Sequence, residues 1–225
     1  MKRGDFVWLI IFLGLSSLLL VPATRDFIIN AGVSHAYLTG FVKFAVLATM
    51  GELLALRIVK GGWGMPAGLV YKTLVWGFLG MAVVLYFEIF AAGVAEAIDD
   101  HFLYTGSSAF STVIKAFYVS VAINLSFGPV MMIFHRFTDT YIDLSCEGRI
   151  KGGDRLTAVI HHIDWQGFYK FVIFKTIPCF WLPAHTITFL IPGQFRILYA
   201  AYLSLALGTI LAYAKKRGAN SPMKL

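Results

Sequence analysis

The sequence predicts an all-α integral membrane protein, a single transmembrane domain over residues 1–225 built from a bundle of about six membrane-spanning helices. Three observations carry that expectation. Hydrophobic residues make up 58% of the chain and charged ones 14%, against about 45–50% and about 25% in soluble domains. Apolar runs near the roughly 20 residues that cross a bilayer recur along its whole length. Basic residues gather at alternate ends of those runs, the asymmetry that orients helices during insertion.

The first run, Phe6 to Val21, follows the basic start "MKRGD". No small-x-small cleavage site follows, so it reads as a retained helix at about 6–22 and not as a signal peptide. Further spans are expected at about 37–57, 69–95, 109–135, 168–191 and 196–214. Only "PGQF", a Pro-Gly turn signal, separates the last two. Strands are excluded because no ten-residue alternation repeats and an open sheet edge has no partner in hydrocarbon.

Charge placement tests this arrangement. With both termini cytoplasmic, the inner segments hold Lys2, Arg3, Arg57, Lys60, Arg136, Arg149, Lys151, Arg155, Lys215, Lys216, Arg217 and Lys224, and the outer loops hold only Arg25 and Arg196. The net charge of +7 is therefore topological, with no basic stripe or module for nucleic acid. The pattern fits a bacterial inner membrane and an organelle membrane equally. Residues 136–167 form the longest polar stretch, expected to be a cytoplasmic loop with a short interfacial helix. Its "HHID" lacks the partner boxes of a metal site, and Asp139 and Asp143, one turn apart, read as a wet helix end. Cys146 and Cys179 form no redox or metal motif. No catalytic, cofactor or metal site is expected.

Polar groups at membrane depth are the candidates for function. Lys72, Lys115, Lys170 and Lys175 have stems long enough to snorkel, as does Lys43 further inside its span. Glu52 in "LATMGELLALR" and Glu88 in "VVLYFEIFAAG" do not. An ionised acid at a helix centre costs about 2.5–3.5 kcal/mol on insertion scales, so each must be protonated, paired or facing water. Asn124, His185, Thr186 and Thr188 lie at similar depth, and Gly77, Gly80 and Gly128 permit close helix approach, compatible with self-association. Pro129, Pro178 and Pro183 each break a backbone ladder, tolerated where protein or water satisfies the freed groups. The stretch "FWLPAHTITFLIPGQFR", Phe180 to Arg196, is thus expected to face the bundle interior.

Four blocks in order resemble the Mpv/peroxisomal membrane protein 22 kDa family, over roughly residues 37–214. Trp181, His185, Thr188-Phe189, Pro192 and Arg196 follow its closing signature, with His and Thr where the family has Gln and Asn and with one residue fewer between Phe and Pro. Gly51-Glu52 resembles its Gly-Asp, although Leu56 stands where a glutamine is usual. Gly77, Gly80 and Tyr86-Phe87 follow its Gly-x-x-Gly and aromatic pair, and Asn124, Phe127, Gly128 and Pro129 its Gln-x-x-Phe-Ala-Pro. The run at 6–22 is additional to the family core. The resemblance implies a channel or metabolite conduit of organelle membranes.

Two functions remain in view. In the first, the chain is a narrow, weakly selective channel for a small solute or ion, with Glu52, Glu88, Asn124 and His185 facing inward and Arg196 at a mouth. In the second, it transports nothing, and the same polar groups lock helices together in a structural or regulatory membrane protein.

Overall fold

The computed structural model describes residues 2–107, 110–150 and 154–219, with side chains as far as Tyr213. Lys151 and Lys224 of the inner charge set lie outside the described residues. Among the described residues every regular element is helical: α1 (Arg3–Ser17), α2 (Pro22–Ser34), α3 (Ala36–Lys60), α4 (Leu69–Asp99), α5 (Ser111–Leu125), α6 (Phe127–Cys146), α7 (Arg155–His162), the single turn α8 (Trp165–Gly167), a π-helix (Phe168–Trp181), α9 (Leu182–Leu190) and α10 (Gly193–Ala219).

The helix breaks follow from sequence chemistry. Val21 is extended because Pro22, the first residue of α2, disfavours the helical region for its predecessor. The result is an 80° bend between α1 and α2. Pro129, in the first turn of α6, has no N–H to give the Leu125 carbonyl, so the α5 ladder stops at Ser126. Gly61, at φ +69, ends α3 with its N–H donated to the Arg57 carbonyl.

The six-span count is corrected here. Three helices among the described residues are long and apolar enough to cross a membrane: Leu69–Asp99, Ser111–Cys146 and Gly193–Tyr213. The bent pair α1 and α2 makes up to four. The expected span at 37–57 became α3, which carries Lys43, Glu52 and Arg57, packs one face against α4 and α10, and leaves Tyr37, Leu38 and Val42 exposed on the other. The expected span at 168–191 is divided between a π-helix containing Pro178 and the nine residues of α9. What stands is a multi-pass integral membrane protein, whose outer surface exposes apolar side chains such as Leu20, Phe78, Phe117 and Ile210 to lipid.

The core joins α3 (Phe44, Leu47), α4 (Val83, Phe87), α5 (Val119, Ile123), α9 (Phe189) and α10 (Ala201, Leu205). Glycines set how closely these helices approach. A Cβ on Gly80 would lie 2.5 Å from the Gly40 carbonyl oxygen, so α3 and α4 touch backbone to backbone. A Cβ on Gly51 would lie 2.9 Å from the Cα of Leu205 in α10. Gly77 makes room for the Phe41 ring in the same way.

One end of the bundle gathers the start of α1, the end of α3, the start of α4 and the end of α6. Asp5 accepts two hydrogen bonds from Arg57, at 2.7 and 3.0 Å, and a third from the Trp63 indole at 2.7 Å. α7 folds beneath this end, with Val159 and Ile163 packed on Leu144.

Candidate functional site

Lys72 stands in the first turns of α4, where a helix start packed against α3 and α6 leaves its side chain only 7% exposed. Its ammonium lies 2.6 Å from Asp139 Oδ1, 2.9 Å from Asp143 Oδ1 and 3.4 Å from Glu52 Oε1. Three carboxylates thus face the three protons of one ammonium. Asp139 and Asp143 are presented together because residues four apart share a helix face. His135, a turn earlier on that face, lies against the Trp76 ring, centroids 4.2 Å apart, and Trp76 is one turn beyond Lys72. Glu52 Oε2 and the Trp76 N–H are buried without hydrogen-bond partners among the described residues. Beside the cluster the Thr73 hydroxyl donates to the Leu69 carbonyl and accepts from Thr49, at 2.9 and 3.1 Å, a second tie between α3 and α4.

A neutral counterpart joins α5 to α9. Asn124 Nδ2 donates to the Ser120 carbonyl at 2.8 Å, and its carboxamide pairs with His185 Nδ1, 3.0 Å from Nδ2 and 3.2 Å from Oδ1. Ser120 donates across the same interface to the Leu182 carbonyl at 2.6 Å. Phe87 meets the His185 ring edge to face and Trp181 lies tilted against it. A cavity of about 30 Å³ adjoins this pair, room for about one water. Its wall is otherwise apolar, with Phe44, Val83, Phe87 and Ile123.

The remaining candidates separate. Thr188 is fully buried and donates to its own helix, to the Ala184 carbonyl at 2.9 Å. Arg196 is half-buried and donates to the Ile191 and Phe189 carbonyls, 3.2 and 3.3 Å away, where it closes the end of α9. Its guanidinium also covers the Phe189 ring. Glu88 lies on the exposed face of α4, apart from both clusters. Of the resemblance residues, Gly51, Gly77 and Gly80 mark close approaches, and Phe127 stacks on Tyr86 with centroids 4.0 Å apart. Trp181 and Phe189 are core, Pro129 starts α6, and Pro192 is exposed in the turn before α10.

Sequence reasoning assigned Lys72 to the headgroups and Asp139 and Asp143 to water. They are instead the centre of the polar interior. The available signal was an unpaired Glu52 needing a cation at the end of α3, the same end at which α4 begins. Within "HHID", His162 Nδ1 donates to the Ala158 carbonyl while Nε2 accepts from Arg149, so both nitrogens of that ring are spent on fixing a loop. Among the described residues no group of three His, Cys, Asp or Glu side chains could hold a metal ion.

The channel reading is overturned by this geometry. A conduit needs polar groups that line a water-bearing path. Here they are spent on one another: Lys72 on Glu52, Asp139 and Asp143, Asn124 on His185, and Ser120 on Leu182. The transport function that the family resemblance implied falls with it. Compared with family models, characterised proteins and solved structures, the chain matches none.

Proposed function

We propose that the chain is a non-transporting membrane protein, a structural or regulatory scaffold held in one arrangement by buried polar locks. The observation that carries this reading is Lys72, whose single ammonium gathers carboxylates from α3 and α6 onto α4. Paired charges of this kind specify which helix faces meet, because any other register strands a charge away from water. The Asn124–His185 pair does the same, more weakly, for α5 and α9.

Both termini lie in the cytoplasm in this reading. Support comes from the bias of basic residues to the segments that hold the start of α1 and the end of α3. Contacts of α10 agree: Leu198 shares a groove with Lys43 near the start of α3, and Leu205 meets Gly51 further along it, so α10 runs back towards the end that holds the N-terminus. The scaffold then presents α7 and its exposed Leu156 and Ile160 at the cytoplasmic surface.

The test is paired. Purified protein in liposomes is assayed for solute leak from pH 5 to 8, and in detergent for thermal unfolding, as wild type and as Glu52→Gln. The expected result is no protein-dependent leak from either, with a lower melting temperature for the variant. Leak that the substitution alters would sink the proposal.

A further inference from the structure

The elbow between α1 and α2 encloses a groove that the polar locks do not use. Its volume is about 350 Å³, within the ~300–1,000 Å³ range of small-molecule sites. Leu15, Leu18 and Leu19 of α1, Phe27 and Ile28 of α2, and Leu38, Val42 and Val46 of α3 form an almost wholly apolar lining. Two polar groups there are already satisfied. The Thr39 hydroxyl donates to the Ala36 carbonyl at 3.1 Å, and Tyr202 of α10 pairs with Ser16 of α1 at 2.8 Å.

Lys43 is different. It is the one charged residue lining the groove, and no carboxylate lies among the lining residues. Its ammonium reaches across to α2, where a Cβ on Gly32 would lie 3.4 Å from Nζ. No hydrogen bond or ion pair to Lys43 forms among the described residues, and the nearest acid in α2, Asp26, is taken by Arg25 at 3.2 Å. An apolar trough that holds one uncompensated ammonium matches an amphiphile with the opposite charge at its head.

We propose that this groove binds one anionic phospholipid, with an acyl chain along Leu38, Val42 and Val46 and the phosphate against Lys43. Position on the chain supports that occupant. Lys43 lies two turns from the start of α3, beside the elbow where α2 turns across the bundle, with Leu38 and Val42 before it and Val46 beyond it along the trough. A phosphate there supplies the counter-charge that the described residues do not, and basic pockets between membrane helices take lipid headgroups for this reason. A zwitterionic lipid brings its own cation and gains less. The site is independent of the scaffold reading, since it shares no side chain with either lock.

The test is native mass spectrometry of the full chain released from nanodiscs of equal phosphatidylcholine and phosphatidylglycerol. Wild type is expected to retain a single phosphatidylglycerol with about fivefold preference, as one cation near the surface implies. Lys43→Met should abolish the preference and Lys43→Arg should keep it. Leu38→Trp, at a position already 64% exposed, fills the trough without touching the core and should remove the retained lipid altogether. It decides the matter by itself if Lys43→Met does not fold. Equal retention of the two lipids overturns the proposal, as does a preference unchanged in Lys43→Met. Retention of free fatty acid in place of phospholipid, or a dimer lost on Leu38→Trp, overturns it in favour of those occupants.

Discussion

Replacing Lys72 by methionine isolates the charge at the centre of the lock. Methionine keeps most of the apolar stem, so packing against α3 and α6 changes little while the ammonium disappears. Before the change, one ammonium and three carboxylates carry a formal charge of −2, and afterwards three carboxylates stand alone at −3. Breaking a buried pair by removing one partner costs about 3–5 kcal/mol. The lower end applies, because the Asp143 side chain is 43% exposed and Glu52 and Asp139 are 23% and 22% exposed, so water screens part of the uncovered charge. At about 2–4 °C per kcal/mol for a chain of this size, ~3 kcal/mol lowers the melting temperature by about 6–12 °C. Thermal unfolding in detergent, followed by tryptophan fluorescence, reads the shift. Adding Glu52→Gln, Asp139→Asn and Asp143→Asn to Lys72→Met should recover much of the loss, since no unpaired charge then remains. A single variant that melts within about 2 °C of wild type, or a quadruple variant no better than the single, refutes the lock.

Three further outcomes follow from the same geometry. Gly80→Ala puts a Cβ 2.5 Å from the Gly40 carbonyl and 2.7 Å from Phe44 Cβ; forcing α3 from α4 should cost about 1–3 kcal/mol, seen as a lower melting temperature, whereas Gly14→Ala, with open space around it, should be silent. Asn124→Leu removes the tie to His185 and should destabilise by about 1 kcal/mol, with hydrogen exchange rising in α9 before α3. Asp154 caps α7 by accepting from the Thr157 N–H at 3.0 Å, and that bond holds its carboxyl below the usual carboxylate range. A depressed value means that the cap is intact above the ordinary carboxylate pKa and is lost as pH falls through the lowered one. Trp165 donates to the Ile160 carbonyl of α7, so its fluorescence should change only below about pH 4, and Asp154→Asn should remove most of that change.

Composition, with 58% hydrophobic residues, placed this chain in a membrane; long apolar runs without a repeating alternation made it helical, since hydrocarbon admits only helices and closed barrels, and the prolines marked where the helices break. Gly77, Gly80, Glu52, Asn124 and His185, read as interior groups, lie at helix contacts, but Glu88, read the same way, lies on the exposed face of α4. The number of spans was not legible. An apolar run of membrane length describes equally a spanning helix and one such as α3, which carries Lys43 and Glu52 and packs closely on α4 and α10, and hydropathy does not register a π-helix or an 80° elbow. Which polar group meets which was also out of reach. Glu52 and Lys72 are 20 residues apart and Asp139 lies 67 residues beyond Lys72, so their union depends on how three helix axes cross. That crossing is set by the contact of Gly40 with Gly80 and by the seat of α6 against the start of α4. Only the tertiary structure could turn a lysine expected at the headgroups and two aspartates expected in water into one buried lock, and so decide between a path through the bundle and a bolt across it.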